Sequence, residues 1–563
     1  MGGGRRLAQR GALLVGALAL ASIACSGLPP YGEALVIVDT DARDARFVNR
    51  MRMDLYSADG STWFESRDVP LRDDRDWPAS FSIYNEDTTH DKVALLRIRL
   101  YLAGHERDYH GERFTQLGGK PGSSAVPNAA ECTNPEDCEL PRLSTGPTPH
   151  AEPDPYLASD RLVRLRLQPG VRGALHLVLR GACIGTMADL QSQRTCVDTD
   201  GTYADAEEAT LDPDMSIPQV VAATFGEPQP CQSTATPRPG TTGKRLFDSE
   251  ICIDGGTFVF GNTNFASPAP DSGTPQRIAR LPAFYIDKHE VTVGRWRDAV
   301  ARGFAPPTPP TANSKPLTRD TCNPPPPSST NWCTYSATPG VPEDREAYPL
   351  SCVTWDSARA FCNFEGGELP TEAQWEYVAQ AAGREQKTEF PWGDDVPKCR
   401  PTDSTDRGVY NRIWECAGTW HSLGFCIAPR YNTNRTTACN AGNNTHELCG
   451  NSVPSINPRQ GPQPEDAVDT SDGDRSISGV VNLFGSMNEW TADSFYSLES
   501  QCWAAASQTS PTCFDPAQPL HTIRGGSWVT ASGTGQRLKP ETTALSATPP
   551  QIGFRCVRAL EQP

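Results

Sequence analysis

Three short stretches near the C-terminal end of the chain decide its fold. They read Asn482-Leu-Phe-Gly-Ser-Met-Asn-Glu-Trp490, Arg524-Gly-Gly-Ser-Trp528 and Ile552-Gly-Phe-Arg-Cys556. In the first stretch Gly485 allows a sharp bend, because glycine adopts backbone conformations that other residues avoid. The paired glycines of the second stretch are typical of a strand that other backbone approaches closely.

Two helices are predicted upstream of these stretches. Thr354 is a suitable N-cap for a helix over Trp355–Phe364. Thr371 is followed three residues later by Gln374, the spacing of a capping box, and the second helix is expected to end at Gly383. The C-terminal half is therefore expected to mix helices and strands.

These features together resemble the formylglycine-generating enzyme, or sulfatase-modifying factor, family. The most specific upstream match is Leu369-Pro-Thr-Glu-Ala-Gln-Trp-Glu-Tyr-Val378, and the resemblance runs from Ile251 to about Ala559. It implies a C-type-lectin-like domain with much irregular backbone. It also implies an opening strand pair in Ile251–Gly261, and a strand in Phe284–Thr292 that leads into a helix near Val293–Val300.

The family's copper-binding cysteines are missing from this chain. The sulfatase-activating members carry one cysteine two residues after the aromatic of Gly-Gly-Ser-Trp and a second one five residues later, and these thiolates bind copper. Here the two positions are Thr530 and Gly535. Copper(I) selects soft sulfur ligands, which neither a hydroxyl nor a glycine replaces. The resemblance therefore implies the scaffold without its known redox centre, and we predict no catalytic residue and no bound copper.

The first stretch resembles the family's calcium site. In the family the ion is held by the equivalents of the Asn482 side chain, the Gly485 and Met487 carbonyls and the Glu489 carboxylate. Calcium takes six to eight hard oxygen ligands, and a loop that mixes such groups can supply them. The resemblance thus implies a structural calcium ion. In the alternative interpretation, Glu489 forms a buried hydrogen bond and Asn482 only a turn.

The cysteines indicate an oxidising compartment. The chain has 19 cysteines, and setting Cys25 aside leaves an even number, which is typical of disulfides in an exported protein. The sequence contains no CxxC pair, which argues against a zinc or iron–sulfur site. By family resemblance Cys362 is expected to pair with Cys556. Spacing does not fix connectivity, but three short-range pairs are candidates: Cys132–Cys138, Cys183–Cys196 and Cys322–Cys333.

The N-terminus has the features of a lipoprotein signal peptide. Three arginines precede the apolar run Gly11–Ala21, which is too short to span a bilayer. The following Ser22-Ile-Ala-Cys-Ser26 resembles a bacterial lipobox with Cys25 as the lipidated residue, and Ser26 resembles signals for the outer membrane. The alternative is an ordinary secretory signal cleaved nearby. We expect an outer-membrane-anchored, periplasmic or surface-exposed protein of the cell envelope.

Net charge excludes one class of partner. The whole chain carries −17, and loss of residues 1–24 with their three arginines would make this −20. An acidic surface of this size repels nucleic acid and anionic headgroups. We therefore expect no nucleic-acid partner, and attachment to the membrane through the lipid on Cys25.

Five strand-like stretches precede the C-terminal half. They are Ala34–Val38, Phe81–Tyr84, Val93–Leu102, Leu162–Leu167 and Ala174–Leu179, all rich in β-branched or aliphatic residues. Polar and apolar residues alternate in 95–102 and 162–167, which predicts sheets with one solvated face.

The predicted fold class is α+β, in four segments. Residues 1–24 are the signal peptide and 25–226 a β-rich, sandwich-like domain. Residues 227–246 are a Pro/Thr/Ser linker, and 247–560 are the sulfatase-modifying-factor-type domain. Within the last segment, a Pro-rich insertion at 303–347 is expected on the surface, and loops pinned by disulfides are expected at 393–478.

Two functional hypotheses remain open. In the favoured one, the protein is a non-catalytic lipoprotein that serves binding or structure, with an unidentified protein or glycan ligand at Val529–Gln551 or on the β-rich domain. In the other, it is an oxidase of the formylglycine-generating type or a related maturation enzyme. That enzyme would need another thiol pair, for which Cys399–Cys513 are the donors.

Overall fold

The computed structural model describes residues 31–108, 151–216, 218–231, 236–237, 249–261, 275–313, 330–339, 345–394, 413–416, 419–422, 474–506, 508–527, 541–544 and 546–560. The chain divides into two compact units, the first ending at Thr224 and the second beginning at Phe225. Among the described residues, no helix has the length and apolarity to cross a membrane.

Strands are the main regular elements in the described part of the first unit. Strands β1 to β11 are Gly32–Thr40, Arg50–Ser57, Trp63–Pro70, Ala79–Asn85, Lys92–Tyr101, Glu106–Asp108, Ala151–Pro153, Ser159–Leu167, Arg172–Leu179, Arg194–Cys196 and Tyr203–Asp205. Two short 3₁₀ turns lie at Asp74–Asp76 and Gly181–Cys183.

Two sheets account for seven of these strands. One has the order β4-β1-β9, with β1 antiparallel to β4 and parallel to β9. The other has the order β3-β2-β5-β8 and is antiparallel throughout. All five predicted stretches lie in or largely within strands, but β2 and β3 were not foreseen. The turn after Leu167 joins two sheets rather than two paired strands. The sandwich arrangement stays a prediction.

The prediction of a solvated face on β5 is wrong. Every residue of this strand from Ala94 to Tyr101 is buried. Arg97 forms a buried ion pair with Asp160, and Arg99 forms one with Asp54. Alternating arginines therefore mark a buried ion-paired face here, because each guanidinium has a carboxylate on a neighbouring strand.

The described part of the second unit contains twelve short strands and four helices. Strands β12 to β23 are Thr236–Pro237, Ser249–Ile253, Gly256–Phe260, Arg277–Leu281, Phe284–Asp287, Ile413–Cys416, Thr419–Ser422, Asn488–Ser494, Leu520–Arg524, Glu541–Ala544, Ile552–Gly553 and Val557–Ala559. Helices α1 to α4 are Val293–Ala301, Trp355–Phe364, Glu372–Glu376 and Gln501–Ala505, with a π-helical turn at Tyr377–Ala381 and a 3₁₀ turn at Thr330–Trp332.

Two four-stranded sheets organise this unit. Their orders are β12-β13-β16-β23 and β21-β20-β19-β22. The second sheet brings the three C-terminal stretches together, because β19 lies between β20 and β22. Two strand pairs, β14-β15 and β17-β18, complete the described strands.

Both predicted helices begin at their predicted caps. The Thr354 hydroxyl accepts the Ser357 N–H at the start of α2. At α3, Thr371 and Gln374 form both hydrogen bonds of a capping box, at 3.1 and 2.9 Å. The second helix passes into the π-helical turn before it ends near Gly383, whose φ of 71° favours glycine.

Aromatic side chains fill the core of the second unit. Trp296 of α1 stacks on Phe361 of α2 at a centroid distance of 5.4 Å. Phe554, from the third C-terminal stretch, packs edge-on against both rings. Trp375 of α3 is fully buried in a second cluster with Phe484 and Trp503. The quoted stretches are thus built into the core.

Five disulfides join ten of the described cysteines. They are Cys183–Cys196, Cys231–Cys252, Cys333–Cys352, Cys362–Cys556 and Cys502–Cys513. The Cys183–Cys196 prediction is confirmed, and the bond between Cys362 and Cys556 is present. The Cys322–Cys333 prediction is wrong, because Cys333 pairs with a cysteine beside α2 rather than within the Pro-rich insertion. Cys132–Cys138 lies outside the described residues.

The described part of the predicted linker is attached to the second unit. The Cys231–Cys252 disulfide connects it to β13, and Gln229 forms a bridge with Gly255. β12 also pairs with β13. The chain is therefore tied to the second unit before the strand where the family resemblance begins.

Candidate functional site

A buried arginine from the third stretch organises the candidate site. Arg555 has no exposed surface, and all five of its N–H groups donate hydrogen bonds. Its acceptors are both carboxylate oxygens of Glu489 at 2.6 and 2.7 Å, and the carbonyls of Asp287, Lys288 and Val481 at 2.8–3.2 Å. The guanidinium thus holds together the loop after β16, the first stretch and β19.

Glu489 is consequently an ion-pair partner. In addition to the paired bonds from Arg555, its Oε2 accepts the indole N–H of Trp375 at 2.9 Å. A two-point contact of this kind is among the stronger hydrogen-bonded arrangements. Glu489 therefore does form buried hydrogen bonds, as the alternative interpretation expected, and its charge is balanced within the protein.

Asp474 shapes the loop that carries the other predicted ligands. Its Oδ2 accepts the backbone N–H groups of Phe484 and Gly485, each at 2.8 Å. Its own carbonyl accepts the Asn482 N–H at 2.9 Å. Asn482 and Ser486 adopt positive φ angles of 61° and 66°. Such conformations are strained for residues other than glycine, and this network stabilises them.

The amide of Asn482 is oriented by a carboxylate that sequence analysis did not identify. Its Nδ2 donates to Oε2 of Glu290 at 3.0 Å. Burial raises the pKa of Glu290 to about 7, partly offset by Arg555. Burial likewise raises the pKa of Asp474 to about 7, against the hydrogen bonds from Phe484 and Gly485. Buried carboxylates of this kind favour a proton or a cation nearby.

The predicted calcium ligands lie within one loop and the start of β19. Gly485 and Met487 are buried, and no described residue donates a hydrogen bond to either carbonyl oxygen. Buried carbonyls ordinarily have a donor, and carbonyl oxygens suit calcium. No cluster of three or more metal-binding His, Cys, Asp or Glu side chains occurs within the described ranges. Backbone carbonyl and amide oxygens are of the type that a hard cation takes, whereas both carboxylate oxygens of Glu489 already accept hydrogen bonds from Arg555.

Arg524 of the second stretch connects β20 to helix α3. It is 2% exposed and pairs with Glu376 and, at 3.3 Å, with Glu372. Lys387 pairs with the other oxygen of Glu376. Arg524 of the second stretch therefore joins the sheet that contains β20 to helix α3.

The glycine after Arg524 shows the predicted close approach of backbone. Gly525 has φ of 85°, and a Cβ there would lie 2.9 Å from the Leu483 carbonyl and 3.2 Å from the Trp375 ring. A larger residue would meet both of these groups. This part of the prediction is confirmed.

Two further carboxyls beside Arg524 have altered acidity. Burial raises the pKa of Glu372 to about 7, an effect that Arg524 opposes. Burial also raises the pKa of Asp493 to about 6, although it accepts N–H groups from Glu372 and Cys513. Asp493 thereby fixes the N-terminus of α3 against β19.

Several predicted site residues lie outside the described residues. These are Cys25, Thr530 and Gly535, together with most of the proposed face Val529–Gln551, of which β21 and residues 546–551 are described. Asp474, Glu290 and the role of Arg555 were not predicted. The Gly-Phe-Arg motif was the only sequence signal for any of them.

With this geometry in place, comparison with known proteins gives the family. The profile of the Sulfatase-modifying factor enzyme 1-like domain matches residues 236–560, more than half of the chain. The protein belongs to this family.

Curated relatives differ in their named activity. The chain is 22% identical to "Inactive C-alpha-formylglycine-generating enzyme 2" of Bos taurus, covering 40% of this chain and 54% of that protein. It is 28% identical to "Formylglycine-generating enzyme" of Thermomonospora curvata, covering 33% and 63%. It is also 28% identical to "Hercynine oxygenase" of Mycolicibacterium thermoresistibile, covering 33% and 41%. The chain spans about half the length of the curated relatives that it matches.

The solved structures that match this chain are distant from it. "Structure of PvdO from Pseudomonas aeruginosa" is 18% identical with a TM-score of 0.34, covering 55% of this chain and 94% of that one. "Treponema denticola variable protein 1" is 13% identical with a TM-score of 0.32, covering 55% and 95%.

Proposed function

We propose that the protein is a cell-envelope lipoprotein whose sulfatase-modifying-factor-type domain is a non-catalytic binding or structural module. The observation that carries this proposal is the identity of two residues. Thr530 and Gly535 occupy the positions of the family's copper-binding cysteines. Without two thiolates the soft metal has no ligands, and the oxidation that depends on it has no centre.

The disulfides weaken the possibility of a substitute thiol pair. Cys502 and Cys513, two of the candidate donors, are bonded to each other. A disulfide sulfur is not a thiolate and does not supply the copper site. The remaining donors for the enzymatic alternative are Cys399, Cys416, Cys426, Cys439 and Cys449.

The family residues that this chain keeps have structural contacts. Arg555 neutralises Glu489 in the core, and Arg524 joins β20 to α3 through Glu376. A non-catalytic domain would need these contacts as much as an enzyme does, because unpaired buried charges are costly. Their presence is therefore consistent with a scaffold retained for its shape.

Calcium is proposed as a structural ion at the Asn482 loop. The buried Gly485 and Met487 carbonyls and the buried carboxyl of Asp474 support this assignment. The ion would neutralise part of the negative charge and hold the strained backbone. The ligand of the protein, a protein or glycan at Val529–Gln551 or on the β-rich unit, is proposed without a more specific identity.

The alternative function is an oxidase of the formylglycine-generating type or a related maturation enzyme. Relatives named "Formylglycine-generating enzyme" favour it. The two functions are separated by assaying the purified, disulfide-intact full-length protein on a sulfatase-derived cysteine peptide with copper. We expect no aldehyde product from the unaltered protein.

A matched variant tests the pocket itself. The Thr530→Cys/Gly535→Cys double variant restores both sulfur ligands at the family positions. Copper(I) binding by the variant alone is expected if the missing thiols are the only defect. Turnover by the unaltered protein would refute the non-catalytic proposal.

A further inference from the structure

The exposed apolar side chains of the first unit are unevenly placed. Six large ones are more than a third exposed: Tyr31, Phe64, Tyr84, Val171, Met215 and Val220. Single exposed apolar residues are normal on a protein surface, whereas a cluster is typical of a contact site. Four of the six lie at one end of the unit.

Three of these four residues are linked through the start of β1. The rings of Tyr31 and Tyr84 are 6.5 Å apart, and Tyr84 lies opposite Glu33 in the β1–β4 register. The Glu33 N–H donates to the Val171 carbonyl at 2.9 Å. We call Tyr31, Phe64, Tyr84 and Val171 the Tyr31 end.

Phe64 belongs to the same end through Lys92. The Lys92 ammonium lies 5.4 Å from the Phe64 ring, and Lys92 pairs with Leu167 at the end of β8. The turn from Leu167 leads directly to Val171, whose N–H donates to the Gln168 carbonyl at 3.1 Å. The start of β5, the end of β8 and the turn after Leu167 therefore lie at the same end of the unit as the start of β1.

The Tyr31 end is also where the chain arrives from the proposed lipid anchor. Five residues lie between Cys25 and Tyr31, so six Cα–Cα steps join them. At no more than about 3.6 Å per step, Tyr31 lies within about 22 Å of an acylated Cys25. A surface so close to the anchor stays near the bilayer in every orientation of the rest of the protein.

We propose that the Tyr31 end lies against the membrane surface that holds the acylated Cys25. This inference rests on the proposed lipid anchor. Tyrosine suits this environment, since its ring enters the interfacial region while its hydroxyl stays hydrated. Contact would bury apolar surface that water otherwise covers.

Several charged groups at this end have partners. Glu33 pairs with Arg172, Asp91 shares Arg166 with Glu208, and Asp87 lies 2.9 Å from the His90 ring. A surface of this type lacks the cluster of basic residues that recognises anionic lipid. The contact is therefore expected on vesicles of zwitterionic lipid, without any anionic lipid.

The chain offers a matched pair of valines for the test. Val171 and Val220 are both 42% exposed. Val171 contacts the start of β1, whereas the residue after Val220 donates its N–H to Asp39 near the end of that strand. The two positions are about 20 Å apart along β1, at about 3.3 Å per residue.

The experiment is hydroxyl-radical footprinting of the full-length lipidated protein on phosphatidylcholine vesicles. The Cys25→Ser protein without vesicles is the reference, and mass spectrometry of the N-terminal peptide reports acylation. We expect oxidation of Val171, Tyr84 and Phe64 to fall several-fold on vesicles, while oxidation of Val220 stays unchanged.

Each of the other outcomes overturns a specific part of the proposal. Absence of an acyl mass on Cys25 refutes the lipid anchor and this inference with it. An acylated protein in which Val171 and Val220 are oxidised to the same degree refutes the inference alone. If Val171 is protected only when the vesicles contain phosphatidylglycerol, the contact is electrostatic, and the proposed apolar contact is refuted.

Discussion

Replacement of Arg555 by methionine should strongly destabilise the second unit. The change removes a guanidinium with no exposed surface, and among the described residues it leaves the buried carboxylate of Glu489 with the Trp375 indole alone as donor. Breaking a buried ion pair by removing one partner costs about 3–5 kcal/mol. Three carbonyls also lose a donor, so the loss is expected in the upper part of that range.

Urea unfolding followed by tryptophan fluorescence measures this loss. Ten of the 12 tryptophans lie after Thr224, so the signal reports mainly the second unit. The full-length chain has two units, and its transition is therefore fitted for that signal alone. Arg555→Met is expected to move the midpoint to much lower urea.

A surface ion pair provides the control. Arg359 and Glu368 are 36% and 35% exposed, and exposed pairs contribute about 0.2–1 kcal/mol. Arg359→Met should therefore cost far less than Arg555→Met, although it also removes the contacts of the guanidinium with the Trp355 and Phe514 rings. In calcium-free buffer, adding Glu489→Gln to Arg555→Met should recover part of the loss, because the uncompensated charge is removed. A loss below about 1 kcal/mol for Arg555→Met would refute the argument, since it is no more than a surface pair contributes.

Three further predictions concern the same unit. Replacing Cys362 and Cys556 together by alanine should cost about 5 kcal/mol, because the disulfide closes a loop of 194 residues, and a urea midpoint equal to that of the parent would show the reasoning wrong. Burial raises the pKa of Glu372 to about 7 from 4.5, so the folded state favours its protonated form and stability falls as pH rises through this range. Glu372→Gln should remove that part of the pH dependence, and urea midpoints that fall between about pH 5 and about pH 8 as steeply as in the parent would contradict this. Finally, calcium should raise the melting temperature measured by scanning calorimetry, and Asn482→Ala should abolish this rise. A parent protein whose melting temperature does not change with calcium would refute the proposed calcium site.

Local sequence signals were sufficient for the helices and many strands. Thr354 and Thr371 cap α2 and α3 because capping depends on residues three positions apart. The π-helical turn after α3 has no such local signal and was not foreseen. β2 was missed although Arg50–Ser57 alternates in the same manner as β5.

Long-range ion pairs explain the main errors. The alternating arginines of β5 predict a solvated face, and the same pattern is produced by a face of buried pairs with Asp160 and Asp54. The partner of Arg97 is 63 residues away, so spacing within the strand does not reveal it.

The candidate site was predicted only where the family motif extends. The motif located Asn482, Gly485, Met487 and Glu489 in one loop and strand. It did not indicate Glu290, which is 192 residues from Asn482 in sequence and 3.0 Å from it in the structure. Contacts of this kind depend on the tertiary fold.

The most direct test of the central proposal is the number of copper(I)-binding thiols in the folded protein. Thiols are titrated on native, disulfide-intact protein, and copper(I) is then offered in competition with a chromogenic chelator. The non-catalytic proposal predicts no reactive thiol pair and no copper(I) withdrawn from the chelator. Two reactive thiols that withdraw one copper(I) ion per chain would contradict it, because the redox centre would then be rebuilt from other cysteines.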